Sequence, residues 1–134
     1  MTPTEPFDLS RFPVHLGLGA TVEALDEFDG SPEWYERYGA AHAGDGAEGR
    51  LVSLHTFSEP WTTWEMHPEG AELVACLDGT LTLHQEVDGE VLTVVLTAGH
   101  AVVNPPGVWH TADVAGRATA CFITAGLGTE VRDR

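Results

Sequence analysis

Two glutamates and two histidines in this chain have the residue types and the spacing of a metal site. Glu65 and His67 are two residues apart, so on a β-strand their side chains point to the same side of the sheet. Glu72 begins the next apolar run, and the tight turn expected at Pro105–Gly107 would direct His110 back toward the same interior. Imidazole nitrogens and carboxylate oxygens suit first-row divalent metals. The four residues therefore predict one metal ion inside a β-barrel.

The spacing of these residues resembles the two sequence motifs of a small single-domain cupin. The first motif of that family reads G-x5-H-x-H-x4-E-x6-G, and the second reads G-x5-P-x-G-x2-H-x3-N. In this chain the motifs read Glu65-x-His67-x4-Glu72-x6-Gly79 and Gly99-x5-Pro105-x-Gly107-x2-His110. The resemblance implies an all-β fold, the cupin double-stranded β-helix or jelly-roll barrel, with an N-terminal arm and one short helix. It also implies that a divalent transition metal (Fe, Mn, Ni or Zn) binds to the four residues.

The chain departs from the family pattern at three positions. Glu65 stands where the family has its first histidine, Glu59 where it has the leading glycine, and Val114 where it has the closing asparagine. Two histidines and two glutamates would neutralise a divalent ion, whereas three histidines and one glutamate would leave it one positive charge. We therefore expect a weaker Lewis acid here, and the sequence leaves open whether Glu65 is itself a ligand.

A purely structural interpretation of these residues is the alternative. Each could be a hydrogen-bonded polar side chain on a barrel wall, and some barrels of this kind hold no metal. Two carboxylates buried together without a cation are costly, which favours the metal. His55 and Trp61 are further candidates for the pocket, with hydrogen bonding of the histidine and core or rim packing of the tryptophan as their alternatives.

Composition narrows the class of partner. The 134 residues carry 21 acidic and 6 basic side chains, a formal net charge of −15. Nucleic acid and anionic membranes are therefore not expected as partners. The sequence has no segment long and apolar enough to span a bilayer and no pattern of a signal peptide at its start, so we expect a cytoplasmic location.

The remaining pattern predicts the elements that position the site. Glycines in the apolar stretch at 13–25 favour an edge strand or arm, and Ser31-Pro32-Glu33 predicts the start of a helix that ends near 39–44. From residue 50 onward, short β-prone runs alternate with turns, and we expect turns at Asp78-Gly79 and Ala115-Gly116 among others. We expect a single structural domain, with an arm and helix at 1–50 packed on a barrel at 51–134.

Two functions from different classes fit this interpretation. The first is a metal-dependent enzyme acting on a small organic molecule in the barrel, and the resemblance implies an oxygenase, isomerase or lyase. The second is a non-catalytic small-molecule or metal-binding module or sensor. No catalytic residue can be assigned from the sequence, and a homodimer is expected because cupins often pair through edge strands.

Overall fold

The computed structural model describes residues 5–134, and nearly all of its regular structure is antiparallel β-sheet. The strands are β1 (Val14–Leu16), β2 (Val22–Ala24), β3 (Arg50–Phe57), β4 (Thr63–Met66), β5 (Glu72–Val87), β6 (Glu90–Thr97), β7 (Ala101–Asn104), β8 (Trp109–Thr124) and β9 (Glu130–Asp133). One α-helix, α1 (Pro32–His42), lies between β2 and β3, and short 3-10 helices cover Leu18–Ala20 and Ala43–Glu48. The jelly-roll barrel and the single short α-helix expected from the sequence are thus confirmed.

The long strands β5 and β8 form the centre of the barrel. They pair with each other along most of their length, and their two halves have different neighbours. The second half of β8 pairs with β3 while the first half meets β4, and the first half of β5 pairs with β7 while the second half pairs with β6. Two sheets therefore share β5 and β8, with strand orders β2-β1-β3-β8-β5-β7 and β9-β4-β8-β5-β6. The strands curl into a barrel because the shared pair bends between its halves.

The turn expected at Asp78-Gly79 is wrong, because β5 continues through it. The ladder with β8 is irregular there, with register shifts between Cys76 and Asp78 and between Gly79 and Leu81. Inward-facing residues are even-numbered before this point and odd-numbered after it, as Cys76 and Leu81 show. A bulge changes which face a side chain takes without reversing the chain. The turn expected at Ala115-Gly116 is wrong for the same reason, since it lies within β8.

The barrel core is built from the inward faces of the shared strands. Alternation along a strand places every second side chain inside, and Ala112 and Ala120 on β8 pair with the larger Leu83 and Cys76 on β5. The buried cluster consists of Val74, Cys76, Leu81, Leu83, Leu96, Ala112, Ala118, Ala120 and Phe122. Phe57 and Trp61 pack against this cluster.

The N-terminal arm joins the sheet, and α1 packs against the arm. β1 pairs with β3, which adds the arm to one sheet. Ser31 caps α1, its hydroxyl accepting the backbone N–H of Trp34 at 3.1 Å. The Trp34 side chain is 3% exposed and packs edge-on against Phe28 at 5.0 Å between ring centres. Within residues 5–134, no helix has the length and apolar character that a membrane crossing requires.

Candidate metal centre

Strand pairing brings the four predicted ligand residues together. Glu65 on β4 is the direct cross-strand neighbour of His110 on β8, and His67 follows at the end of β4. Ligand atoms of Glu65, His67 and His110 all lie within 4.8 Å of one another. Glu72 opens β5, and its two carboxylate oxygens lie 3.2 Å from Nε2 of His67 and 3.2 Å from Nε2 of His110. All four side chains thus converge on one small volume.

The turn before β8 connects the two motifs directly. Gly107 has a φ of 78°, a conformation that favours glycine, and its backbone N–H donates to the carbonyl oxygen of His67 at 2.9 Å. The Pro105–Gly107 turn therefore does more than aim His110. It also holds the backbone of His67 in place.

Glu72 is held by two neighbours on adjacent strands. The Asn104 amide donates to Oε1 at 3.0 Å, and the Thr124 hydroxyl donates to Oε2 at 2.6 Å. Asn104 and Thr124 are the cross-strand partners of Glu72 on β7 and β8, so their side chains share its face of the sheet. Gln85 in turn donates to Oδ1 of Asn104 at 2.8 Å, which orients the amide. The carboxylate is thereby fixed with its oxygens toward the two histidines.

Hydrogen bonds on the far side of each imidazole determine its tautomer. Nδ1 of His110 lies 3.2 Å from the carbonyl oxygen of Val108, which can only accept, so Nδ1 carries the proton of the neutral ring. Nδ1 of His67 lies 2.8 Å from the hydroxyl of Thr129, whose own hydrogen goes to the carbonyl oxygen of Gly126 at 2.7 Å. Both neutral imidazoles therefore direct the Nε2 lone pair toward Glu72, as metal-binding histidines do.

These residues fit a metal ion. Nε2 of His67 and Nε2 of His110 are buried and have no hydrogen-bond partner within residues 5–134, although each is close to Glu72. Buried polar atoms are normally paired, so two converging lone pairs beside carboxylates require an explanation. A divalent cation supplies one, because nitrogen and carboxylate donors together suit first-row metals.

The ionisable groups of the site strongly influence one another. Burial is the main cause that raises the pKa of Glu65, and the negative charge of Glu72 adds to it. Burial would also raise the pKa of Glu72, but polar contacts with His110 and His67 outweigh it and hold that pKa well below its usual range. Burial opposes protonation of His110, yet the contact with Glu72 raises its pKa. Glu72 is therefore the carboxylate that stays ionised, and Glu65 is the one that most readily takes up a proton.

A cavity of about 890 Å³ opens onto this site. Glu65, His67 and Glu72 line it, and so do both candidate pocket residues, His55 and Trp61. Burial lowers the pKa of His55, which keeps its imidazole neutral. The cavity is within the size range of small-molecule sites.

Sequence reasoning missed the contribution of α1 to this cavity. Tyr35 and Tyr38 line it from the helix, and Phe28 lines it from the preceding arm. Although Tyr35 is 46% exposed, burial and then the charges of Glu65 and Glu72 raise its pKa to about 12. A signal was present in the spacing of the helical aromatics, three residues apart on one face. The sequence did not indicate that this face of α1 would line the cavity.

Comparison with known proteins identifies the barrel. The sequence profile of the cupin domain matches residues 56–126, slightly more than half of the chain. No curated protein matches the chain.

Several solved structures share the fold. A recombinant oxalate oxidase in complex with glycolate aligns with a TM-score of 0.57 and 18% identity, over 71% of this chain and 51% of that one. A hydroquinone 1,2-dioxygenase in complex with Cd²⁺ and 4-hydroxybenzonitrile aligns with a TM-score of 0.51 and 15% identity, over 56% of each chain. A cupin-2 domain protein from Shewanella frigidimarina is 23% identical, with a TM-score of 0.49, over 56% of this chain and 69% of that one. The alignments therefore cover about half of the oxidase and dioxygenase chains.

Proposed function

The chain belongs to the cupin family, and from that premise we propose that it is a mononuclear metal-binding protein acting on a small organic molecule in its barrel. The ligands are Glu65, His67, Glu72 and His110. The observation that carries this proposal is the pair of buried Nε2 atoms on His67 and His110, which converge on Glu72 and have no hydrogen-bond partner among residues 5–134. Iron, manganese, nickel and zinc all suit this donor set.

The histidines and Glu72 would have different roles in metal binding. His67 and His110 would donate nitrogen lone pairs, held in the required tautomer by Thr129 and the Val108 carbonyl. Glu72 supplies a carboxylate that remains ionised. When bound, the ion would act as a Lewis acid on oxygen atoms of the substrate. The chemistry that this supports is oxygenation, isomerisation or lyase cleavage.

The cavity would hold the substrate beside the ligands. His55 presents a neutral imidazole in it, which could accept a proton from a bound molecule. Trp61 also lines the cavity, and its ring centre lies 6.3 Å from that of His110. Helix α1 contributes Tyr35 and Tyr38 to the lining of the cavity.

The division of the chain, its location and its oligomeric state also belong to this proposal. Residues 1–50 form the arm and helix, of which 1–4 lie outside the described part, and residues 51–134 form the barrel. We place the protein in the cytoplasm as a homodimer. Support for a dimer comes from Leu73 and Val103, cross-strand neighbours on β5 and β7 that are 37% and 53% exposed. Sedimentation of the purified protein measures this directly.

Elemental analysis tests the metal site. Protein purified without added metal should contain close to one equivalent of a divalent transition metal. The variants His67→Ala and His110→Ala should lose it while circular dichroism shows an unchanged β-sheet spectrum. His100→Ala is the matched control, because His100 is exposed and its side chain bonds only to Thr97 among the described contacts. Full metal content in both site variants would contradict the proposal, and a metal-free parent protein would favour a binding module.

A further inference from the structure

The described lining of the cavity contains four carboxylates and four imidazoles but no guanidinium or ammonium group. Glu36, Glu59, Glu65 and Glu72 line it, whereas none of its described lining residues is an arginine, and the chain contains no lysine. Arginine and lysine are the side chains that pair with carboxylate ligands. A carboxylate entering this cavity would lose its hydration without gaining such a partner, which is costly.

The proposed metal would not change this balance. Glu65 and Glu72 together carry two negative charges when both are ionised, which equals the charge of a divalent cation. The centre is then neutral overall, and the remaining acids of the cavity, Glu36 and Glu59, still repel an anion. An anionic substrate is therefore disfavoured with the ion as well as without it.

One side of the cavity is a continuous wall of aromatic rings. The ring centres of Phe57 and Trp61 are 5.5 Å apart, and Phe122 lies 6.0 Å from each of them. His55 extends the wall, 5.3 Å from Phe28 and 5.8 Å from Phe122. Planar apolar ligands pack well on such surfaces, since aromatic contacts favour ring separations of this size.

The polar end of the cavity complements a hydroxyl group. Carboxylate oxygens of Glu65 and Glu72 accept hydrogen bonds and cannot donate them when ionised. From this arrangement we infer that the cavity selects a ring-bearing molecule that has a hydroxyl group and no negative charge, of which a phenol is the simplest, and rejects the corresponding carboxylate. This inference rests on the proposed function, because it names the class of substrate for the same site.

Probes that share one ring and differ in charge test the inference. 4-Methylphenol, 4-methylbenzoate and benzylamine, which is cationic at neutral pH, are titrated by calorimetry into zinc-loaded protein. The phenol should bind about tenfold or more tightly than the benzoate, because only the benzoate brings a charge into the acidic cavity. The inference would be overturned if the benzoate bound as tightly as the phenol or more tightly than benzylamine.

Two variants assign the selectivity to the cavity. Glu59→Arg places a cation in the lining and should reduce the phenol preference by about threefold or more, whereas the same change at Glu48, an exposed acid outside the lining, should not. Phe57→Leu should weaken the phenol about three- to tenfold, and Phe7→Leu, at an exposed ring elsewhere, should leave it unchanged. An unchanged preference in Glu59→Arg would contradict the electrostatic argument even if Phe57→Leu failed to fold.

Zinc content measured on the same samples separates this inference from the proposed function. Zinc retained with no phenol preference overturns the substrate class and leaves the metal site intact. Zinc absent from protein that still prefers the phenol overturns the metal site and leaves the selectivity of the cavity.

Discussion

Thr129 and His67 are 62 residues apart in the chain, yet the threonine hydroxyl lies 2.8 Å from Nδ1 of the histidine. The hydroxyl hydrogen is already donated to the carbonyl oxygen of Gly126, so the oxygen can only accept from the ring. This contact determines which nitrogen of His67 faces the site. Thr129 therefore positions the proposed ligand His67 without being a ligand itself.

Thr129→Val should therefore weaken metal binding although it removes no ligand. Without the acceptor, His67 is free to rotate or to change tautomer, and loss of such a partner typically costs about 10–100-fold in affinity. Thr129→Ser is the matched control, because it keeps the hydroxyl and should stay close to the parent. Competition with a chromophoric chelator measures both constants. Equal affinities for the valine and serine variants would show that the contact is only structural.

Glu65→Gln tests the departure from the family motif. An amide oxygen is a poor substitute for a carboxylate on a divalent ion. Metal affinity should therefore fall by about 100-fold or more, which is at least the effect of losing a contact that supports a ligand. Glu65→His restores the third histidine of the family motif and should retain metal. Glu69→Gln, an exposed acid on the neighbouring turn, serves as the control. If Glu65→Gln holds metal as tightly as the parent, Glu65 is not a ligand.

The thermal stability of the protein should depend on pH in opposite directions with and without metal. The contact with Glu72 raises the pKa of His110 against the effect of burial, so in chelated protein folding favours the protonated ring. Stability of that form should then increase as pH falls from about 8 to about 6.5. Loaded protein should instead lose stability, since protons compete with the ion for the imidazoles.

Melting curves of the two forms check this expectation. Two further groups that line the cavity, Glu65 and His55, act in opposite directions below about pH 6.5. The raised pKa of Glu65 adds stability as pH falls, whereas the lowered pKa of His55 removes it. The depressed pKa of Glu72 costs stability only below its ordinary value of 4.5. Parallel curves for loaded and chelated protein between about pH 8 and about pH 6.5 would mean that the histidines hold no shared ion.

The four candidate ligands could be predicted from the sequence because each lies at a strand end or beside a turn. Two residues apart on one strand must share a face, so Glu65 and His67 followed from sequence alone. Asn104, Thr124 and Thr129 could not be found in this way. Their contacts with the site depend on strand register between distant segments, and local spacing contains no information about register.

The bulge in β5 is a place where the sequence predicted a feature that the structure does not have. Asp78-Gly79 has the composition of a tight turn, which is why a hairpin was predicted there, and the alternation of apolar residues also changes phase at this point. A bulge produces the same change of phase without reversing the chain. Only the pairing of Cys76 with Ala120 and of Leu81 with Val114, on the same partner strand, distinguishes the two.

Asp45→Ala should loosen the helix over the cavity. His15 is 4% exposed and bridges Asp45 and the Tyr38 hydroxyl, each at 2.7 Å. Burial, with the charges of Asp45 and Glu23, raises the pKa of Tyr38 to about 12, so the phenol remains a donor and His15 Nε2–H must donate to Asp45. Leaving that donor unpaired should cost about 1–3 kcal/mol of unfolding free energy.

Urea denaturation followed by tryptophan fluorescence measures this loss. Asp45→Asn keeps an acceptor oxygen and should cost less than Asp45→Ala. Glu48→Ala, three residues further along the same segment, removes an exposed acid and should change little. Equal stability of Asp45→Ala and the parent would mean that His15 finds another acceptor.

Gly79→Ala should be the most damaging of these changes, because the backbone of a neighbouring strand occupies the space that the methyl group needs. Gly79 has a φ of 73°, and a Cβ there would lie 2.0 Å from the carbonyl oxygen of Arg117. Gly116 has a similar φ of 81° with nothing within 4 Å of its Cβ position, so Gly116→Ala isolates the backbone strain, about 1–2 kcal/mol. Gly79→Ala adds the clash and should cost about 3 kcal/mol or more in the same urea experiment. Similar costs for both alanine variants would show that β5 and β8 separate easily at the bulge, and the close approach of the two strands would then not explain why the motif requires glycine.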